Sequence, residues 1–90
     1  MMPIKYILLK EVVEPEVIDL ERIGGRLEYH NIMISVDNMF ISDCGERWKC
    51  ELSKKETFDD EKVNCNIVEF APTLRQSIIG ALKKLIEKNH

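Results

Sequence analysis

The sequence predicts an α+β fold: an antiparallel β-sheet, a three-stranded meander plus one or two further strands, covered on one face by a C-terminal amphipathic helix. Three observations predict it. Leu74, Ile78, Leu82, Leu85 and Ile86 recur at helical spacing behind a Thr73–Gln76 capping pair. Ile32, Ile34 and Val36 alternate with their neighbours, the period of a half-buried strand. Arg47 to Leu52 alternates again, just after a Cys44-Gly45 turn signal.

Taken in order, residues 4–13 (IKYILLKEVV) are a mostly apolar, branched and aromatic run and read as a strand. Pro15 stops it and suits the first turn of a short helix, PEVIDLERI, which Gly24-Gly25 would close. A hairpin turning on the same two glycines is the competing reading. Asp37-Asn38, residues that tolerate positive φ, predict a two-residue turn, with Met39 to Asp43 as the return strand. Two-residue turns at 37–38 and 44–45 place the rows Ile34–Ile41–Trp48 and Val36–Met39–Cys50 on one inward face. Residues 53–62 (SKKETFDDEK) read as a charged loop, and Val63 to Phe70 as a fourth strand broken by Ala71-Pro72. The last helix runs from Thr73 to about Lys88, with Lys83, Lys84 and Lys88 near its end, where cations suit the helix dipole.

No repeat or Pro/Gly/Ser-rich linker divides the chain, so residues 1–90 read as a single domain with one modest core. A hydrophobic content of 44% is too high for disorder. Thirteen basic against sixteen acidic residues, well mixed, suit neither a polybasic nucleic-acid binder nor a one-signed DNA mimic. The apolar start, Tyr6 to Leu9, is interrupted by Lys10 and Glu11, too short for a signal peptide or a membrane span of about 20 residues. Three cysteines are an odd number and do not suggest a secreted disulfide framework. The expected setting is cytoplasmic, with thiols reduced and no membrane partner.

The candidate chemistry is thin. Cys44 and Cys50 are too widely spaced for a zinc knuckle, and the hairpin register sends one to a turn tip and the other inward, which also excludes a disulfide between them. Cys65 adds only a third thiol. Cys44 with His30, which the first hairpin would place opposite Gly45, is the minimum for thiol catalysis, but no helix N-terminus or cation is expected nearby to activate the thiol. His90 is the final residue. Asp59-Asp60-Glu61 lack apolar surroundings to shift a pKa, and lack the spaced ligands and glycine of a calcium loop. Gly24-Gly25 makes no phosphate cradle. No catalytic residue, metal or cofactor is expected, and the chain reads as no enzyme.

The outer face of the predicted meander is the candidate site. It would carry Met33, Phe40, Arg47 and Lys49, with Ser35 and Ser42 between them and Phe40 beside Lys49. Apolar and cationic groups mixed on an open sheet suit a protein partner. A nucleic-acid base stacked on the same face is the alternative, and coverage of Phe40 by the N-terminal segment is the plain structural one. Sheet edges and the C-terminal helix offer surfaces for a homodimer. A compact sheet with a terminal helix and no catalytic residues is also in the style of small accessory proteins of mobile elements or phages. No particular residues carry that likeness. The expectation is a small intracellular, non-enzymatic accessory protein that binds another protein.

Overall fold

The computed structural model describes residues 2–54 and 66–88. The chain opens with a helix, where a strand is predicted for residues 4–13. This element, α1, is α-helical over Ile4–Ile7 and widens into a π-helix over Leu8–Val13. Ile7, Glu11 and Val12 are buried, and Ile4 and Leu8 pack against the core. Those positions are spaced i, i+3, i+4, i+7, i+8, one face of a helix, and burial of that face overrides the β propensity of the branched residues. The wide turn shows in the 3.0 Å bond from the Glu14 N–H to the Leu9 carbonyl, five residues back.

The second predicted helix forms further along the chain. α2 spans Leu20–Glu28, and the Asp19 carboxylate caps it by accepting from the Arg22 N–H at 3.2 Å. Gly24 and Gly25 lie inside α2, so they neither close the helix nor turn a hairpin. A turn over residues 29–31 leads from α2 into the sheet, and Asn31 takes a left-handed φ of 60°, a conformation asparagine tolerates. Glu11 ties α1 to α2: its carboxylate lies 3.0 Å from Arg22 Nε and 3.3 Å from Arg26 Nε.

β1 (Ile32–Ile41) and β2 (Gly45–Lys54) form one long antiparallel hairpin, and β3 (Ile67–Ala71) pairs with the far side of β2. The sheet is a three-stranded meander in which the predicted strands over residues 31–36 and 39–43 merge into β1, the predicted strand over 47–52 lies within β2, and the end of the predicted fourth strand lies in β3. Asp37-Asn38 is not a turn; β1 runs through it, with Asp37 opposite Lys49 and Asn38 opposite Trp48. The Asn38 amide, turned to suit both neighbours, accepts from Trp48 Nε1 at 3.2 Å and donates to the Glu46 carboxylate at 3.0 Å. The reversal uses residues 42–44. Cys44 N–H bonds the Ile41 carbonyl at 2.9 Å, and Gly45 follows at φ +81°. Glycine adopts that conformation at no steric cost, and Asp37-Asn38 offers no glycine.

The rows shift accordingly. Ile34–Leu52–Ile67 and Val36–Cys50–Glu69 stand where Ile34–Ile41–Trp48 and Val36–Met39–Cys50 are predicted. Trp48 and Cys50 do face the helices, with Cys50 fully buried. Most of the predicted charged loop and residues 63–65 of the predicted fourth strand lie outside the described residues.

α3 (Leu74–Lys88) is the predicted C-terminal helix, capped by Thr73 Oγ1, which accepts from the Gln76 N–H at 3.1 Å. It packs on β2 and β3, burying Ile78, Ala81 and Leu82 with Leu74 and Leu85 alongside. α1 and α2 share that face, so the core is Ile7, Val12, Ile23 and Leu27 against Ile32, Cys50, Leu52 and Ile67. Gly80 lets α3 sit close to the sheet: a Cβ there would lie 2.6 Å from Glu69 Cγ. Glu69 in turn bonds Lys84 at 2.8 Å. Arg75 joins the two ends of the layer. Its guanidinium donates to the carbonyls of Val12 at 2.9 Å, Pro15 at 2.5 Å and Glu16 at 2.7 Å, and more distantly to Val13 at 3.5 Å.

Candidate functional site

The helices occupy one face of the sheet, and side chains of opposite parity form the other. Directly opposed residues share a face, so this second face is read from the register. Its rows are Met33–Ser53, Ser35–Glu51–Val68, Asp37–Lys49–Phe70 and Met39–Arg47. Met33, Met39, Val68 and Phe70 are all exposed, Phe70 by 47%. Among the described residues these make an open surface with an aromatic at one side and methionines at the other. Lys49 stands between Asp37 and Phe70, within reach of a carboxylate and of an aromatic ring. Two acidic residues, Asp37 and Glu51, balance Arg47 and Lys49, so the face is close to neutral.

Of the four predicted site residues, Met33, Arg47 and Lys49 lie on this face. Phe40 does not. It sits opposite Glu46 on the helix-bearing side, near the hairpin turn, and is 78% exposed. The reason is register: with no turn at 37–38, Phe40 is in step with Val36 and Asn38, away from Lys49 and Met33. The N-terminal segment packs in the helical layer and does not cover it. Ser35 is on the open face, whereas Ser42 belongs to the turn. Met39, Val68 and Phe70 are the members that sequence reasoning missed. Their signal was the alternation of Val68 and Phe70 against Ile67 and Ala71, masked by Glu69 on the inward parity.

The thiol pair is not assembled. His30 precedes β1, its Nε2 2.8 Å from the Met2 carbonyl, while Cys44 follows the far end of the ten-residue strand. The two are separated by about 30 Å of extended chain. Cys44 is exposed and Cys50 buried, and they do not converge. Burial first, and then the Glu69 and Glu51 carboxylates, push the Cys50 thiol up to about 12, which keeps it protonated and unreactive. Among the described residues no group of three His, Cys, Asp or Glu side chains could hold a metal ion. Asp59-Asp60-Glu61, Cys65 and His90 lie outside the described residues.

The described surface also carries concavities, two of which bring candidate side chains together. A cleft of about 270 Å³ is lined by Ile32, Leu52, Ile67 and Leu85, with His30 and Lys88 also in its wall. A shallower hollow on α2 brings Arg22, Arg26 and Tyr29 together, but Glu28 shares it and Glu11 already engages both arginines. Neither places a nucleophile beside a base. Comparison with protein-family models, curated proteins and solved structures gave no match. No helix among the described residues is long and apolar enough to cross a membrane.

Proposed function

We propose that this chain is a small, non-enzymatic accessory protein of the cytoplasm that binds another protein through the open face of its sheet. The observation that carries the reading is the row Asp37–Lys49–Phe70, flanked by Met33, Met39 and Val68. An exposed aromatic and flexible apolar side chains among balanced charges match the composition of a protein interface, with an apolar centre and polar rim. The near-neutral charge of the face speaks against nucleic acid, whose binding draws on unbalanced cations.

The test is capture by the tagged chain from its native lysate, with and without nuclease, comparing wild type with Phe70→Asp and Lys49→Glu. A stoichiometric protein that survives nuclease and is lost with Phe70→Asp, while thermal unfolding is unchanged, supports the reading. Retention of that protein by both folded variants removes the open face from consideration. Capture that disappears with nuclease and weakens steeply with salt transfers the face to nucleic acid.

A further inference from the structure

The outer edge of β1 is long and carries none of the features that keep sheet edges apart. In proteins that stay monomeric, edges are short, or interrupted by proline, bulges or lysine. β1 has ten residues with no proline and no cation; Asp37 is its one charge. The opposite edge differs. β3 has five residues, and Lys84 Nζ reaches the outward Val68 carbonyl at 3.4 Å.

Which main-chain groups of β1 face outward follows from its turn. The Ile41 carbonyl accepts from Cys44 N–H inside the hairpin, so it points toward β2. Carbonyl and N–H directions alternate along a strand. Ile32, Ile34, Val36, Asn38 and Phe40 therefore present their N–H and C=O groups to the open edge. Among the described residues no main-chain bond outside the hairpin reaches them.

We propose that β1 pairs antiparallel with β1 of a second copy of this chain, about a two-fold axis at Val36, giving a continuous six-stranded sheet. Outward groups must oppose outward groups, so even-numbered residues face even-numbered residues, and neighbouring choices of register differ by two. With Val36 opposite Val36 of the second copy, Ile32 lies opposite Phe40, Ile34 opposite Asn38, Met33 opposite Met39 and Ser35 opposite Asp37. Val36 meets Val36, Met33 meets Met39, and Phe40, exposed in the single chain, gains Ile32 as an apolar neighbour from the helix-covered end of the other strand. Sliding by two in one direction sets Asp37 against Asp37, a like-charge pair. Sliding in the other sets Met33 against Asp37 and Ile32 against Asn38. The centred register makes about ten main-chain hydrogen bonds and keeps all helices on one side. It also joins the two open faces into one, although the pairing does not depend on what that face binds.

Sedimentation equilibrium of the full chain tests it, with circular dichroism confirming the fold of each variant. Wild type is expected to be a concentration-dependent dimer. The Met33→Lys, Met39→Lys double variant sets lysine against lysine at both symmetric positions and is expected to weaken the dimer about tenfold. The Met33→Lys, Met39→Glu double variant sets opposite charges together and is expected to recover most of that loss. A monomer at every concentration up to the solubility limit overturns the proposal, and so does a dimer that responds equally to both double variants. Residue-resolved amide exchange on wild type is independent of the variants. Dilution should release Ile34, Val36, Asn38 and Phe40 amides and leave Ser35, Asp37 and Met39 protected by β2; uniform release, or none, overturns the pairing. Partner capture lost with Phe70→Asp reads the open face separately, since Phe70 lies on β3.

Discussion

Replacing Arg75 with alanine should cost this chain several kcal/mol of stability, although the residue is partly exposed. The last carbonyls of a helix have no partner within it, and here the guanidinium of Arg75 supplies one to α1 from the start of α3. Its bonds divide by exposure. Those to Glu16 and Val13 are at the surface, where water replaces the donor at little cost. Those to Val12 and Pro15 are partly buried, and each bond from a charged donor contributes about 1.5 kcal/mol or more. Two such bonds give about 3 kcal/mol, a large share of the roughly 5–13 kcal/mol expected for a domain of this size. At about 5 °C per kcal/mol, the midpoint of thermal unfolding should fall by about 15 °C. Arg75→Lys keeps the charge without the planar fork and should recover less than half of the loss. Thermal and urea unfolding followed by circular dichroism measure both. A fall of less than about 0.5 kcal/mol for Arg75→Ala would show that water satisfies all four carbonyls, and that the clamp holds nothing.

Two further predictions concern Glu69 and its neighbours. Gly80→Ala should destabilise the native chain, because the new Cβ meets Glu69 Cγ, Cδ and Oε2 within 2.7 Å and breaks its bond to Lys84. In a Glu69→Ala background the same change should stabilise by about 1 kcal/mol, the helix preference for alanine over glycine, so the sign reverses in a double-mutant cycle. The second is pH dependence. The Cys50 thiol titrates near 9.0 in the unfolded chain and near 12 in the fold, so its contribution is complete below pH 9 and is lost as pH rises toward 12. Unfolding measured against pH should steepen by up to about 1.4 kcal/mol per unit in that window, and Cys50→Ala should remove this added slope. A slope unchanged in Cys50→Ala would show that the thiol ionises freely in the fold.

Much of this architecture is legible in the sequence, and the failures have identifiable causes. α3 was readable because its apolar stripe and Thr73–Gln76 cap lie within one continuous segment. The helical spacing of Ile4, Ile7, Leu8 and Val12 was equally present, but Glu11 completes that face, and a charged residue on a buried stripe reads as its interruption. Only α2, delivering Arg22 and Arg26 to the Glu11 carboxylate, makes the position tenable. The meander misled through its own self-consistency. Turns at 37–38 and 44–45 gave agreeing apolar rows, because a strand with apolar residues on both parities satisfies more than one register. Phe40 was assigned to the open face by that register and left it when β1 continued through Asn38.

By itself the sequence determined the class of fold, the terminal helix, and the inward direction of Trp48 and Cys50. These depend on local periodicity, capping and side-chain chemistry, which act over a turn of helix or a few residues of strand. Tertiary structure alone decided that residues 4–13 are helical, that Asp37-Asn38 stays extended, and that Phe70 joins Lys49 on the open face. Each of those outcomes rests on a partner distant in the chain: Arg75 and Arg22 for α1, Trp48 for Asn38, and the β2–β3 register for Phe70. Local preference there was ambiguous or contrary, and long-range burial and pairing outweighed it.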